Sequence, residues 1–166
     1  TESIDGKIAG LETKWTYELD QPGAGYRIGY KAVCVCIGHY MLWYAANLMQ
    51  RIPITIFEDD VRMVPDWKDR LQSACAYLPD DWDILFLGSC STVTSETLGN
   101  RLFRVSHALC THAYMVSAKG LPLLLRCCHQ VWAPVDIAIA IRAIPHMKAY
   151  AILPRIADQN GTELNP

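Results

Sequence analysis

The sequence predicts an α/β domain with a mostly parallel sheet, and three observations lead there. "ITIF" (54–57) is a β-branched and aromatic run that follows a proline and stops at acids, as a short buried strand does. "WDILFLG" (82–88) is a nearly continuous apolar run ending at Gly88, the pattern of a strand covered on both faces. Around these runs, apolar residues recur at steps of three and four, the helical period. Strands alternating with helices indicate a layered domain with a mostly parallel sheet.

In chain order, residues 1–27 are polar and include "DQPGAG" at 20–25, which predicts an irregular lead-in with turn chemistry. Residues 28–159 carry the core of a single domain that spans 1–166. From Gly29 to Arg51, the positions Val33, Cys36, Ile37, Tyr40, Met41, Tyr44 and Leu48 mark an amphipathic helix. The strand at 54–57 follows, and then "VPDWKDRLQSACAYLP" sets Asp66 ahead of a second helix closed by Pro79. After the strand at 82–90, "STVTSETLGN" (91–100) reads as a surface loop. "RLFRVSHALCTHAYMVSA" (101–118) reads as two short strands around Ala108 to Thr111. "AKGLPLLLRCCHQVW" is a helix with proline in its first turn, "PVDIAIAIRAI" is helix or strand, and Ala149 to Leu153 is a last short strand.

Composition narrows the function. The chain has 166 residues, of which 51% are hydrophobic and 19% charged, enough apolar material for one globular core. A net charge of −2 with no basic tract argues against a nucleic-acid groove. The seven cysteines Cys34, Cys36, Cys75, Cys90, Cys110, Cys127 and Cys128 form no CxxC pair, and most lie in apolar strings. They read as small core residues, which implies a reducing, cytoplasmic compartment. No signal peptide and no membrane-spanning apolar run is visible, so the expected location is the cytoplasm or the cytoplasmic face of a membrane. Asn160-Gly161-Thr162 matches the N-glycosylation pattern, a short word that chance often produces.

Glu58, Asp59 and Asp60 stand at the C-terminal tip of the first strand, the edge of an α/β sheet where ligands collect. Side chains alternate along an extended chain, so Glu58 and Asp60 face one way and Asp59 the other. Two oxygen donors on one side suit Mn²⁺ or Mg²⁺ shared with a phosphate. The same acids also suit a solvated turn or a helix N-terminus, and the residues alone leave both readings open.

Four words follow one another along the chain: "GHYMLWYA", "IFEDDV", "DWDILFLG" and "THAYMVSAKGLPLLL" with "PVD" behind it. In that order and spacing they resemble glycosyltransferase family 25, which includes bacterial lipooligosaccharide galactosyltransferases and collagen galactosyltransferases. The resemblance runs from about Tyr30 to Gln159. It implies a single Rossmann-like domain of GT-A type. By resemblance, Glu58, Asp59 and Asp60 are the acidic motif that holds Mn²⁺ (or Mg²⁺) and the nucleotide-sugar diphosphate. The same resemblance implies Asp136 as the general base. It also implies that His39, Gly88, Thr111, His112, Tyr114 and Gln159 are substrate-binding residues. Gly38 stands where the family has serine. Full-length members begin with an apolar strand and an arginine-containing word, whereas "SIDG" at 3–6 looks like a later family word. The chain therefore resembles a member lacking its first βα unit, with an exposed sheet edge for another chain or a second copy to cover.

Each residue also has a plain structural reading. His39 suits a hydrogen-bonded core histidine, His112 a packed one, and Asp136 a helix cap. Tyr40, Trp43 and Tyr44 follow the helical apolar pattern, as core residues do. The expected activity is metal-dependent, inverting transfer of a hexose, galactose from UDP-galactose, onto a saccharide or hydroxyl acceptor, in the setting of lipopolysaccharide synthesis. The alternatives are a catalytically silent glycosyltransferase-like domain serving in binding or assembly, and a Mg²⁺-dependent phosphohydrolase. The phosphohydrolase would need an aspartate where Glu58 stands.

Overall fold

The computed structural model describes residues 28–159 throughout and, before them, the backbone of two strands at 5–8 and 11–14. Those strands, β1 (Asp5–Ile8) and β2 (Leu11–Lys14), pair antiparallel with Ile8 opposite Leu11. Part of the expected irregular lead-in is thus a hairpin. The turn word at 20–25 and the Asn160-Gly161-Thr162 pattern lie outside the described residues.

Helix α1 (Tyr30–Leu48) turns Val33, Cys36, His39, Tyr40, Trp43 and Ala46 inward, a stripe at three- and four-residue steps. The buried face is rotated from the one the sequence suggested: Met41 and Leu48 are exposed, Tyr44 is 37% exposed, and Trp43 is sealed at 1%. No described helix is long and apolar enough to cross a membrane.

Strand β3 (Ile54–Phe57) buries only Ile56 fully. It is an edge strand rather than a doubly covered one, paired antiparallel with β6 (Leu102–Val116). The acids occupy the turn after it, closed by Val61 N–H donating to the Glu58 carbonyl at 3.3 Å. The chain then forms β4 (Val61–Met63), α2 (Trp67–Cys75) and β5 (Ile84–Gly99). Asp66 precedes α2 without capping it; its Oδ2 accepts from Arg70 Nε at 2.7 Å instead.

β5 and β6 form one long antiparallel hairpin with several register shifts. The expected loop at 91–100 is mostly strand, and the two expected strands at 101–118 are one. Thr and Val in "STVTSETLGN" suit a pleated surface exposed to water on both sides, and this outweighs their polar, loop-like composition. Helices α3 (Gly120–Cys127) and α4 (Val135–Ala138) follow, the latter running into a π turn (Ile139–Ala143) and a 3-10 turn (Ile144–His146). β7 (Ala149–Ile152) and β8 (Ala157–Gln159) complete the described fold.

The main sheet has the order β3-β6-β5-β7. Its one parallel pair is β5 with β7, so the α/β class holds while the sheet is mostly antiparallel. The sequence could not show this, because a doubly covered strand reads as an apolar run whatever direction its neighbours take. Ile84 and Phe86 face a core shared with α1, α3 and α4, and Leu85 and Leu87 face a second core with Val64, Ala74, Tyr150 and Ile152. Burying a side chain such as Phe86 contributes about 1.5–3 kcal/mol.

Cys90 and Cys110 are joined in a disulfide, their Cα atoms 5.6 Å apart. That bond is a crosslink the sequence did not predict, since it marked most of the cysteines as small core residues. Of the others, Cys36 and Cys128 are buried while Cys34 and Cys75 are exposed. Burial pushes the Cys36 and Cys128 thiols up to about 12, which suits inert core positions.

Candidate functional site

Three consecutive residues of β6 organise the end of the sheet where β3 stops. Thr111, 5% exposed, donates its hydroxyl to Glu58 Oε1 at 2.7 Å. His112 accepts the Glu58 backbone N–H on its carbonyl at 2.9 Å. Cys110 donates its own N–H to Asp136 Oδ2 at 3.1 Å. Cys110 has a φ of 64°, a left-handed conformation that costs a non-glycine residue free energy and has to be held by its surroundings. The disulfide to β5 and the Asp136 carboxylate are the contacts that hold it.

Glu58 is the centre of the densest polar group. Besides Thr111, its Oε1 meets His39 Nε2 at 3.2 Å. His39 Nδ1 lies 2.7 Å from the Tyr114 hydroxyl, and Trp43 Nε1–H donates to the same hydroxyl at 2.9 Å. His39 and Trp43 are four residues apart on α1, which places them on one face. The His39 and Tyr114 rings stack at 5.7 Å between centroids. The hydrogen bond from His39 holds the Glu58 carboxyl below its ordinary range; burial opposes this, and the Thr111 hydroxyl adds to it. Burial pushes the Tyr114 hydroxyl well above its ordinary value, so it stays an O–H.

Asp59 is exposed and Asp60 half-buried. Asp60 Oδ2 accepts a long hydrogen bond from Gln159 Nε2 at 3.4 Å, and its Oδ1 is shielded from solvent with no hydrogen-bond partner. Gln159 reaches the acids because β8 pairs with β4, setting Val61 opposite Gln159. Gly88 and His112 meet each other: His112 packs at 1% exposure, and its Nε2 donates to the Ala157 carbonyl at 3.2 Å. A Cβ on Gly88 would come within 2.7 Å of the ring carbon Cδ2 of His112. These two residues anchor β8 to the sheet. Asp136 also accepts the Ile137 N–H on Oδ1 at 2.8 Å, so both its oxygens hold backbone N–H groups, one on β6 and one in α4; it stands inside that helix, whose N-cap is Pro134, so it is not the cap the sequence allowed.

The structure thus brings His39, Glu58, Thr111 and Tyr114 into one group, with Asp60 and Gln159 paired beside the same turn. Trp43, which the sequence marked as core, is part of the group, and only its position four residues after His39 could have signalled that. Among the described residues, no three histidine, cysteine, aspartate or glutamate side chains converge as a metal cage. A cation held in part by a ligand's phosphates needs only one or two carboxylates, and Glu58 and Asp60 are the residues at this turn that could supply them. The partnerless, water-shielded Oδ1 of Asp60 is the observation that favours such a fit.

No family model matches the chain. It is similar to a bovine (Bos taurus) protein named probable inactive glycosyltransferase 25 family member 3, at 23% identity over 137 residues. The match covers 75% of this chain and 23% of that protein, so the chain spans about a quarter of the relative's length.

Proposed function

We propose that the chain is a glycosyltransferase domain whose donor site lies at the 58–60 turn, binding a nucleotide sugar through a divalent cation, Mn²⁺ or Mg²⁺. The observation that carries this reading is Glu58, a carboxylate clamped at 2.7 and 3.2 Å by Thr111 and His39 beside the partnerless oxygen of Asp60. Glu58 and Asp60 would hold the cation, which when bound neutralises charge on the departing nucleoside diphosphate. Asp59, at the tip of the turn, would add to the negative field that attracts it.

In the transfer itself, the acceptor oxygen forms its bond to the anomeric carbon as the bond from that carbon to the diphosphate oxygen breaks. The electron pair leaves with the diphosphate, the acceptor's proton passes to Asp136, and the configuration inverts. UDP-galactose is the donor that the family resemblance favours, with a saccharide or other hydroxyl compound as acceptor.

A second reading is a silent glycosyltransferase-like domain that binds without turning over. It is favoured by Asp136, both of whose oxygens accept backbone N–H groups, and by the word "inactive" in the relative's name. Titration calorimetry with UDP and Mn²⁺ tests the donor site: binding that Asp60→Ala abolishes is expected, and no binding to the wild-type chain overturns both readings. UDP release from UDP-galactose then separates them, since a silent domain binds and releases none.

A further inference from the structure

The hydrogen bonds running inward from Glu58 have a direction. An indole N–H only donates and an ionised carboxylate only accepts. Trp43 therefore fills an acceptor position on the Tyr114 oxygen at 2.9 Å, which leaves the phenolic proton for His39 Nδ1 at 2.7 Å. With Nδ1 accepting, the imidazole proton sits on Nε2 and points at Glu58 Oε1, 3.2 Å away. The opposite polarity is disfavoured twice. It would leave the Tyr114 proton without an acceptor where the side chain is 0% exposed, and it would set the Nε2 lone pair against a carboxylate.

We propose that Trp43 and Tyr114 are positioning residues that lock His39 in its Nε2–H tautomer, so that Glu58 meets a cation-bound diphosphate as a fixed carboxylate with Oε1 saturated and Oε2 left for the ligand. This rests on the donor-site reading above. The ring nitrogen remote from a ligand site commonly sets the tautomer of the near one, and here the device reaches the carboxylate through one more hydrogen bond. All four buried members support it: Trp43 is 1% exposed, Tyr114 0%, and His39 and Thr111 5% each. The chain of contacts also joins "GHYMLW", "IFEDDV" and "THAY", three words that sequence alone could only place in order.

The tautomer is read directly by long-range ¹H–¹⁵N correlation NMR on the labelled, metal-free chain, with Tyr114→Phe and Trp43→Phe beside it. The wild-type chain is expected to show Nε2–H, and Tyr114→Phe to move Nδ1 toward the shift of a free acceptor or a tautomer mixture. Calorimetry with UDP and Mn²⁺ is expected to weaken about tenfold in either variant, the scale of second-layer changes around metal ligands. His39→Gln, which keeps a donor near Nε2, is expected to bind more tightly than His39→Asn by a similar factor of about ten. Should Tyr114→Phe fail to fold, Trp43→Phe and the wild-type tautomer decide. A wild-type Nδ1–H tautomer in a chain that binds UDP with Mn²⁺ overturns the positioning role alone, as do unchanged tautomer and affinity in the variants. A wild-type Nε2–H tautomer without UDP binding overturns the donor-site reading, and with it the ligand half of the proposal.

Discussion

Replacing Gly88 by alanine adds one methyl group where the fold has no room for it. The new Cβ would lie 2.7 Å from His112 Cδ2 and closer still to His112 Nε2 and the Ala157 carbonyl oxygen. Neither neighbour can yield cheaply, because His112 is 1% exposed and Ala157 belongs to the backbone of β8. Overpacking a filled site costs about 1–3 kcal/mol, and forcing the ring off the Ala157 carbonyl forfeits a hydrogen bond worth about 1 kcal/mol. The sum, about 3 kcal/mol, lowers the thermal midpoint of a chain this long by roughly 6–12 °C. Thermal and urea melts followed by circular dichroism measure it. Gly38→Ala is the matched control: nothing lies within 4 Å of its Cβ, on the exposed face of α1, so a gain of about 0.5–1 kcal/mol is expected. A Gly88→Ala midpoint at or above that of the wild-type chain would refute the reasoning.

The acid limb of stability should depend on Glu58. Its folded-state pKa is lowered, chiefly by His39, so its contribution is fully present above the unfolded value near 4.3 and is lost as pH falls through the lower folded one. Urea midpoints should therefore decline less steeply with acid in Glu58→Gln than in the wild-type chain, and equal slopes would contradict the network. Asp136→Asn keeps one oxygen to accept a backbone N–H while removing the base, so stability should stay within about 1.5 kcal/mol of wild type while hexose transfer disappears; retained transfer would remove Asp136 from the mechanism. Reducing the Cys90–Cys110 bond, which spans 20 residues, should cost about 2–4 kcal/mol. Denaturant melts with and without reductant, run beside the Cys90→Ser/Cys110→Ser variant, measure it.

Much of the fold is legible in the sequence as periodicity. The helix at 30–48, the strand at 54–57 and the apolar strand from 84 follow from residue spacing. Sheet direction does not follow, because Ile84 and Phe86 need one core and Leu85 and Leu87 another whichever way β6 runs. β4 and β8 are three residues each, too short for alternation to register. Of the site, the words picked out Glu58, Thr111, His39 and Tyr114 singly, in different expected roles, and it is the fold that brings the four into contact. The turn that lifts Asp136 onto a backbone N–H of β6 is a tertiary event with no local sequence mark. The same holds for the close approach of His112 to Gly88, which ties the His112 ring to β8.

Residues 110 to 112 answer three different parts of the molecule in successive positions: Cys110 the disulfide and Asp136, Thr111 the Glu58 carboxylate, His112 the Glu58 amide and β8. Because facing alternates along a strand, inserting or deleting one residue here would exchange all three assignments at once. A substitution disturbs one partner, whereas a change of length scrambles the whole set. The register of this stretch of β6 is therefore fixed by three separate partners, and the far turn of the hairpin is tied down as well: Asn100 Nδ2–H donates to Ser73 Oγ, and Arg101 accepts the Leu153 N–H on its carbonyl at 2.9 Å.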